Sequence, residues 1–226
     1  MKLPFMPETW SMFLPVLAGG WLLLLAGGHW GNLFLMFIGV VVLVISALIL
    51  NFFRDFERSP EKGLKSNQVI SPADGKVVIV KIEAEKFYLK KPSVHIAIFM
   101  NPLNNHVQRA PFDGKVVKKV YHPGEFLAAY NDKADLVNEQ AHLVVELKSK
   151  DKKSKVKGTI VIKQIAGLLC RRIKTTPEVG DSIQRGKRIG RILLGSRVDV
   201  FMPKGFKSKI KVGDQVKAGV TVIGEF

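Results

Sequence analysis

The first quarter of the chain is almost continuously apolar. Residues 9–53 contain no Asp, Glu, Lys or Arg, and a glycine-rich segment at 27–32 divides this stretch in two. A helix that crosses a bilayer needs roughly 20 predominantly apolar residues. The pattern therefore predicts a membrane anchor over residues 1–53, a helical hairpin with helices at about 10–28 and 33–53.

The sequence supports the second membrane-crossing helix more clearly than the first. The first contains Pro15 and paired glycines, so a full crossing and a shallower insertion both stay open for it, whereas the second is uninterrupted. A cleavable signal peptide fits poorly, because only Lys2 is available for its charged start and the apolar stretch is far too long. We therefore expect a permanent anchor.

After a polar linker over residues 54–66, the pattern changes to short runs of Val and Ile bounded by Pro, Gly, Asp and Asn. Such runs are typical of β-strands. The rest of the chain, residues 67–226, is therefore predicted to form one mainly β domain with few helices. The predicted strands are 76–82, 94–100, 115–121, 142–148, 158–165 and 198–202.

Two sequence phrases occur twice within this domain. SPADGKVV (71–78) returns as APFDGKVV (110–117), and VGDSIQRGKRIG (179–190) returns as VGDQVKAGVTVIG (212–224). These turn phrases resemble those of the biotinyl and lipoyl carrier domains, so the resemblance implies a duplicated barrel-sandwich-like fold. Neither turn carries the lysine between methionines that those carriers modify, which excludes the carrier function itself.

The net charge of +16 belongs almost entirely to the β domain. All but one of the 35 Lys and Arg residues, and all but one of the 19 Asp and Glu residues, follow residue 53. A basic domain usually binds nucleic acid or an anionic membrane surface. No nucleic-acid-binding signature is recognisable, so the membrane is favoured. The basic residues directly after the second helix predict that the domain lies on the cytoplasmic side of the cell membrane.

One predicted strand contains an unexplained break. The segment GRILLGSRVDVFMP (190–203) is apolar except for Gly195-Ser196 and the Arg197 that follows. A glycine inside a strand weakens pairing and often marks a bulge or a close approach of the backbone. For a lone Gly-Ser pair, a simple turn would be the ordinary explanation.

The wider sequence points to a different explanation. FFRDFERSP (52–60), SPADGKV with Asp74, IFMNPLNNHVQRAPFDG (98–114) and GRILLGSRVDVFMPKG (190–205) occur in this order along the chain. The ordered set resembles the phosphatidylserine decarboxylase proenzymes in their short form. The resemblance covers nearly the whole chain.

This resemblance implies that the peptide bond between Gly195 and Ser196 cuts itself, giving chains of residues 1–195 and 196–226. In the family, the serine hydroxyl attacks the preceding carbonyl to form an ester. Elimination and hydrolysis then leave a pyruvoyl group on the smaller chain. That group forms a Schiff base with phosphatidylserine in the membrane, and loss of CO2 gives phosphatidylethanolamine. No metal or diffusible cofactor is implied.

The resemblance also suggests roles for individual residues. Ser196 is the nucleophile and becomes the pyruvoyl group, and His106 is the base for cleavage, the acid for protonation, or both. Asp74 is expected to orient His106, although an aspartate before a glycine can simply form a turn. Arg109 stands where long-form relatives have a second histidine, and both a substrate-binding role and a structural ion pair stay open for it. His122 is a possible neighbour of the site.

A second function class shares several of these features. A non-catalytic, membrane-anchored barrel-sandwich adaptor of a transport assembly would also have an apolar anchor and repeated turn phrases. Such adaptors generally carry a long helical hairpin, and the sequence has no sustained heptad pattern. An adaptor also gives no reason for Gly195-Ser196 within an apolar strand. The sequence leaves a homo-oligomer open.

Overall fold

The computed structural model describes residues 5–6, 9–60, 63–129, 134–148, 156, 158–168, 173–192 and 196–226. These residues form two compact units, Met1–Glu57 and Arg58–Phe226.

The first unit is a pair of apolar helices. Helix α1 spans Thr9–His29 and helix α2 spans Leu33–Phe52, and both are long and apolar enough to cross a membrane. The Asn32 side chain accepts hydrogen bonds from the first amides of α2 and caps it. Gly20 lies against Leu43 of the other helix, so the absence of a side chain lets the helices approach closely. The predicted hairpin is confirmed.

The second unit is built almost entirely from β-strands. All six predicted strands are present, so the prediction of a mainly β domain is confirmed. The additional strands are mostly two or three residues long and lack a clear alternating pattern. The elements are β1 (Gln68–Ile70), β2 (Gly75–Ala84), β3 (Pro92–Met100), β4 (Val107–Arg109), β5 (Gly114–His122), α3 (Ala134–Val137), β6 (Gln140–Leu147), β7 (Thr159–Ile165), β8 (Ile173–Thr175), β9 (Ser182–Ile183), β10 (Arg188–Ile192), β11 (Ser196–Met202), β12 (Lys207–Ser208), β13 (Gln215–Val216) and β14 (Val222–Glu225).

The strands form one large and two small sheets, and all their pairings are antiparallel. The large sheet has eight strands in the order β13-β2-β3-β11-β7-β6-β5-β9. The small sheets have the orders β1-β14-β12 and β4-β10-β8. The long strands that the sequence predicts occupy the centre of the large sheet, and the four innermost, β3, β11, β7 and β6, are buried on both faces along most of their length.

The repeated phrases occupy equivalent places in this arrangement. Gly75 of the first phrase pairs with Val216, and Gly114 of its repeat pairs with Ile183. In both copies the amide two positions after the glycine donates to the carbonyl of the Gly-Asp aspartate, at 2.9 Å. The expected duplication is therefore confirmed by the strand pairing.

The pairing also shows which parts of the chain make up each copy. Strands β1, β2 and β3 pair with β14, β13 and β11 respectively, and β4 and β5 pair with β10 and β9. The first copy is therefore completed only by the C-terminal segment that begins with β11. The second copy, β4 to β10, is inserted between the two parts of the first.

Strand β11 is buried along its whole length. Because side chains alternate along a strand, its even-numbered residues face the main hydrophobic core and its odd-numbered residues face the opposite side. The odd-numbered residues are Arg197, Asp199 and Phe201. Phe201 packs with a small apolar cluster that includes Tyr88. We call this side of the large sheet the outer face.

Candidate active site

The break within the apolar segment is a passage between two sheets. Ile192 ends β10 in a small sheet, and Ser196 begins β11 in the large sheet. The neighbours of β11 make the same change of sheet, because β3 leads to β4 and β7 leads to β8. The order of these strands is the same in both sheets, β3-β11-β7 in the large sheet and β4-β10-β8 in the small one. Gly195 itself lies outside the described residues.

Ser196 is fully buried at the start of β11. It lies directly opposite Met100, the last residue of β3. Its Oγ atom has no hydrogen-bond partner among the described residues. Leaving a buried hydroxyl unpaired costs about 1–3 kcal/mol, so such a group in a closely packed core needs an explanation other than stability.

The loop that carries His106 is shaped by asparagines. The Asn101 side chain accepts from the amide of Leu103, and the Asn105 side chain accepts from the amide of Val107, both at 2.9 Å. These are turns in which a short polar side chain replaces a backbone partner. The Asn-rich sequence thus folds the loop locally and fixes the backbone around His106.

The hydrogen bonds of His106 define its tautomer. Its Nδ1 lies 2.9 Å from the carbonyl oxygen of Asn104. A carbonyl only accepts, so Nδ1 carries the hydrogen and the buried Nε2 is the basic nitrogen of the neutral ring. The carbonyl of His106 accepts from the amide of Ile192, at 3.3 Å. The backbone of His106 is therefore hydrogen-bonded to Ile192, the last residue of the strand that precedes Ser196.

Asp74 has a different set of partners. Its carboxylate is bonded by the Arg58 guanidinium, with Nη2 to Oδ2 at 2.9 Å, and by the amide of Ala218 at 2.7 Å. Its counterpart in the second copy, Asp113, accepts from the equivalent amide of Arg185 at 2.7 Å. The carbonyl of Asn104, not Asp74, is bonded to Nδ1 of the histidine. The ion pair with Arg58 is what distinguishes Asp74 from Asp113.

Arg109 is bonded within the protein scaffold. Its side chain is buried, and Nη1 donates to the carbonyl of Gly186 at 2.8 Å. Its amide donates to the carbonyl of Pro72, also at 2.8 Å. These bonds connect β4 to the turns of both copies, which favours a structural role for Arg109.

His122 lies on the outer face of the large sheet, whereas Ser196 faces the core. Its ring is 4.5 Å from that of His142, and the Tyr88 hydroxyl lies within 3.3 Å of both histidines. Burial, together with the positive charge of Lys163, lowers the pKa of His142 to about 3. The structure thus groups His122 with a second, buried histidine and separates it from the serine.

The same outer face carries buried charges that the sequence analysis did not single out. Arg197 forms two hydrogen bonds with Asp199, at 2.7 and 2.8 Å, and Asp199 is 2.9 Å from His95. Burial alone raises the pKa of Asp199, but Arg197 and His95 outweigh it and hold that pKa below its ordinary value. Arg197 and Asp199 are two residues apart on one strand and therefore share a face, whereas strand alignment brings His95 to Asp199.

The described residues contain no group of three or more His, Cys, Asp or Glu side chains arranged to hold a metal ion. The polar side chains described at the ends of β10 and β11 include the Ser196 hydroxyl, the His106 imidazole and the Gln108 amide. Such a set can transfer protons and support nucleophilic attack at a carbonyl.

Comparison with known proteins gives a consistent result. The sequence model of the family described as phosphatidylserine decarboxylase matches residues 45–224. The chain is 40% identical over 182 residues to the phosphatidylserine decarboxylase proenzyme of Geotalea uraniireducens, covering 80% of this chain and 81% of that protein. It is 41% identical over 189 residues to the proenzyme of Syntrophus aciditrophicus, covering 83% and 84%. For the proenzyme of Cupriavidus pinatubonensis the identity is 38% over 216 residues, covering 93% and 92%.

Proposed function

This chain belongs to the phosphatidylserine decarboxylase family, and on that premise we propose that it is a self-processing enzyme that converts phosphatidylserine to phosphatidylethanolamine and CO2. The observation that carries the proposal is the buried hydroxyl of Ser196, which has no hydrogen-bond partner among the described residues and begins β11 opposite Met100, the residue that leads into the loop of His106. A non-catalytic adaptor has no use for this arrangement.

The first activity is cleavage of the bond between residues 195 and 196. The Ser196 Oγ attacks the preceding carbonyl carbon, the peptide C–N bond breaks, and an ester and a free amine form. A base then removes the Cα hydrogen of Ser196, the ester C–O bond breaks, and residue 195 leaves as a carboxylate. The remaining dehydroalanine takes up one water and releases ammonia, which leaves a pyruvoyl group on the chain 196–226.

The unpaired Oγ of Ser196 fits this conversion. Because this hydroxyl makes no hydrogen bond among the described residues, its loss during maturation breaks none of them. The main core offers apolar surroundings for the smaller group that replaces it. Strand β11 pairs with β3 on one side and with β7 on the other, which supports retention of the small chain after cleavage.

His106 is the proposed base for cleavage. Its Nε2 is the proton-accepting nitrogen, because the Asn104 carbonyl holds the hydrogen on Nδ1. We assign Asp74 a positioning role, in which it holds Arg58 and the turn at Ala218. Arg109 is assigned to the scaffold and not to the substrate. We do not assign a catalytic step to His122.

The second activity is decarboxylation in the cleaved protein. The pyruvoyl group, once formed, supplies a ketone that binds the substrate amine and accepts the electron pair that stays behind when CO2 leaves. We propose that His106 then supplies a proton to the carbon that has lost CO2. The apolar core around position 196 removes water from the substrate carboxylate, which favours its loss.

The anchor is consistent with a substrate that resides in a bilayer. Helices α1 and α2 are both long and apolar enough to cross a membrane. The cluster of basic residues after α2 favours a cytoplasmic location for the β domain, and the net charge of +16 favours an anionic lipid surface.

The proposal is tested with the purified full-length protein in detergent. Intact mass should show two chains, 1–195 and 196–226, and phosphatidylserine vesicles should yield phosphatidylethanolamine. Ser196→Ala should give one uncut chain with no product, whereas Ser208→Ala, a partly exposed serine of the same small chain, should behave like the wild type. An intact wild-type chain, or a cut Ser196→Ala chain, would contradict the proposed cleavage.

The role of His106 is tested by the rate of cleavage. His106→Ala should leave most of the chain uncut, because general-base catalysis typically contributes about 10²–10⁴-fold to a rate. His95→Ala serves as a control, since His95 is also a buried histidine but lies on the outer face of the large sheet, away from Ser196. Equal cleavage in the two variants would remove His106 from the mechanism.

A further inference from the structure

A glycine in the small sheet creates a slot directly beside the candidate site. In the sheet β4-β10-β8, Gly190 lies in register between Gln108 and Thr175. A Cβ atom on Gly190 would lie 2.7 Å from Nε2 of Gln164, so the missing side chain leaves room for that amide. Gln164 belongs to β7 of the large sheet, and its side chain therefore joins the two sheets.

The amide in the slot belongs to a chain of hydrogen bonds with a single direction. The Thr175 hydroxyl donates to Oε1 of Gln164 at 2.5 Å, and Nε2 of Gln164 donates to Oε1 of Gln108 at 3.0 Å. Nε2 of Gln108 then donates to the carbonyl of His106 at 2.9 Å. Each oxygen in the chain accepts and each NH2 group donates. We call these three residues, Gln108, Gln164 and Thr175, the amide chain.

The amide chain ends at the groups that the proposed cleavage uses. The carbonyl of His106 accepts two hydrogen bonds, one from Nε2 of Gln108 and one from the backbone amide of Ile192. Gln108 Nε2 also lies 3.6 Å from the sulfur of Met100, the residue paired with Ser196. The amide chain thus contacts both the backbone of the histidine and the pairing partner of the serine.

Gln164 approaches the serine from the other neighbouring strand. It pairs with Val198, two residues after Ser196, and its side chain therefore lies on the same face of the large sheet as the serine. The two glutamines thus come from different sheets, Gln108 from β4 of the small sheet and Gln164 from β7 of the large sheet, and their side chains meet through one hydrogen bond.

Both glutamines are fully buried. Burying a primary amide costs free energy unless its hydrogen bonds are made, and an apolar side chain of similar size avoids that cost. The surrounding core consists mainly of Val and Ile. Stability alone therefore does not explain two glutamines here, whereas a directional chain that ends on the base does.

We propose that Gln108 and Gln164 are positioning residues for self-cleavage, which hold the backbone of His106 in place at the end of β10. This inference rests on the proposed function. It assigns the glutamines no contact with reacting atoms. They act through the backbone of His106, and Thr175 sets the direction of the chain.

The first test compares rate constants of cleavage in the full-length chain. The precursor is produced by cell-free synthesis in detergent micelles, and the fraction of chain cleaved into two pieces is measured over time. Gln108→Met and Gln164→Met should each lower the first-order rate constant at least tenfold. Gln140→Met is the matched control, because Gln140 is equally buried but bonds to the carbonyl of Asp135 and to His142. It should stay within twofold of the wild type.

A second variant separates positioning from stability. In Gln108→Met/Gln164→Met/Thr175→Val the whole amide chain becomes apolar, so no member is left with an unmet hydrogen bond. Measured in the uncut Ser196→Ala background, its melting temperature should recover relative to Gln164→Met alone. Its cleavage rate constant, measured with Ser196 present, should stay at least tenfold low. Recovery of both quantities would mean that the amide chain only stabilises the fold and would overturn the proposal.

The outcomes distinguish this inference from the proposed function. If the wild-type chain is never cut, the proposed function itself fails. If the wild type is cut and Gln108→Met and Gln164→Met are cut as fast as Gln140→Met, only the positioning role fails.

Discussion

The duplication within the β domain provides a matched pair of substitutions at Asp74 and Asp113. Each aspartate accepts from an equivalent backbone amide at 2.7 Å, but only Asp74 also forms an ion pair with Arg58. Asparagine keeps an oxygen for the amide and loses the charge. Asp74→Asn therefore removes the ion pair with Arg58, whereas Asp113→Asn removes a charge whose interaction with Arg185 is electrostatic.

The expected magnitude follows from burial. The side chains of Asp74 and Arg58 are 10% and 18% exposed, between the surface and the interior. Exposed ion pairs contribute about 0–1 kcal/mol, and breaking a fully buried pair costs about 3–5 kcal/mol. We therefore expect Asp74→Asn to cost about 2 kcal/mol. For a domain of this size that lowers the melting temperature by about 4–8 °C. Asp113→Asn should cost less than about 0.5 kcal/mol.

The assay is thermal unfolding of the full chain in detergent, followed by circular dichroism. All variants carry Ser196→Ala, so that a single uncut chain is compared throughout. Arg58→Met/Asp74→Asn should recover part of the loss, since it removes both charges. Equal melting temperatures for Asp74→Asn and Asp113→Asn would refute the contribution assigned to Arg58 and would leave Asp74 as an ordinary turn residue.

Three further predictions concern stability in the same background. The pKa of His142 is about 3 in the folded protein and 6.5 without burial, so between these values the unfolded chain binds the extra proton and the folded protein loses stability as the pH falls. His142→Gln should flatten this dependence, by up to about 1.4 kcal/mol per pH unit, in melting temperatures measured from pH 4 to 7. Gly75 has φ +146°, and a Cβ atom there would lie 2.1 Å from the carbonyl oxygen of Phe99, so Gly75→Ala should cost about 3 kcal/mol. Gly180 has φ +98°, but a Cβ atom there would have no described atom within 4 Å, so Gly180→Ala should cost about 1 kcal/mol. Asp199→Asn removes the carboxylate that bonds most closely to buried Arg197, with Asp135 farther away at 3.9 Å, and should cost about 3–5 kcal/mol. Adding Arg197→Met should restore part of the lost melting temperature.

The long elements could be predicted from the sequence because their signals are local. Continuous apolar runs indicate α1 and α2, and Val-rich runs bounded by turn residues indicate the six long strands. The short strands could not be found in this way. Segments such as Ser182–Ile183 are strands only because Gly114 and its neighbours pair with them. Their conformation is a consequence of tertiary contacts.

The candidate site divides in the same manner. Ser196 and His106 could be singled out because a family resemblance depends on local phrases. The partner that fixes the tautomer of His106 is a backbone carbonyl, which has no sequence signature. The expectations for Asp74, Arg109 and His122 came from residue type and position, and none of these specifies a hydrogen-bond partner.

The amino-acid sequence by itself determined the apolar anchor, the strand-rich domain, its internal repeat and the Gly-Ser pair at which the chain is proposed to cut. These properties depend on neighbouring residues, or on phrases that can be compared directly. Only the tertiary structure decided that Ile192 and Ser196 belong to different sheets and that two buried glutamines reach the carbonyl of His106. The physical reason is that strand register brings together residues far apart in the chain, and the depth of burial then decides which polar atoms must find partners.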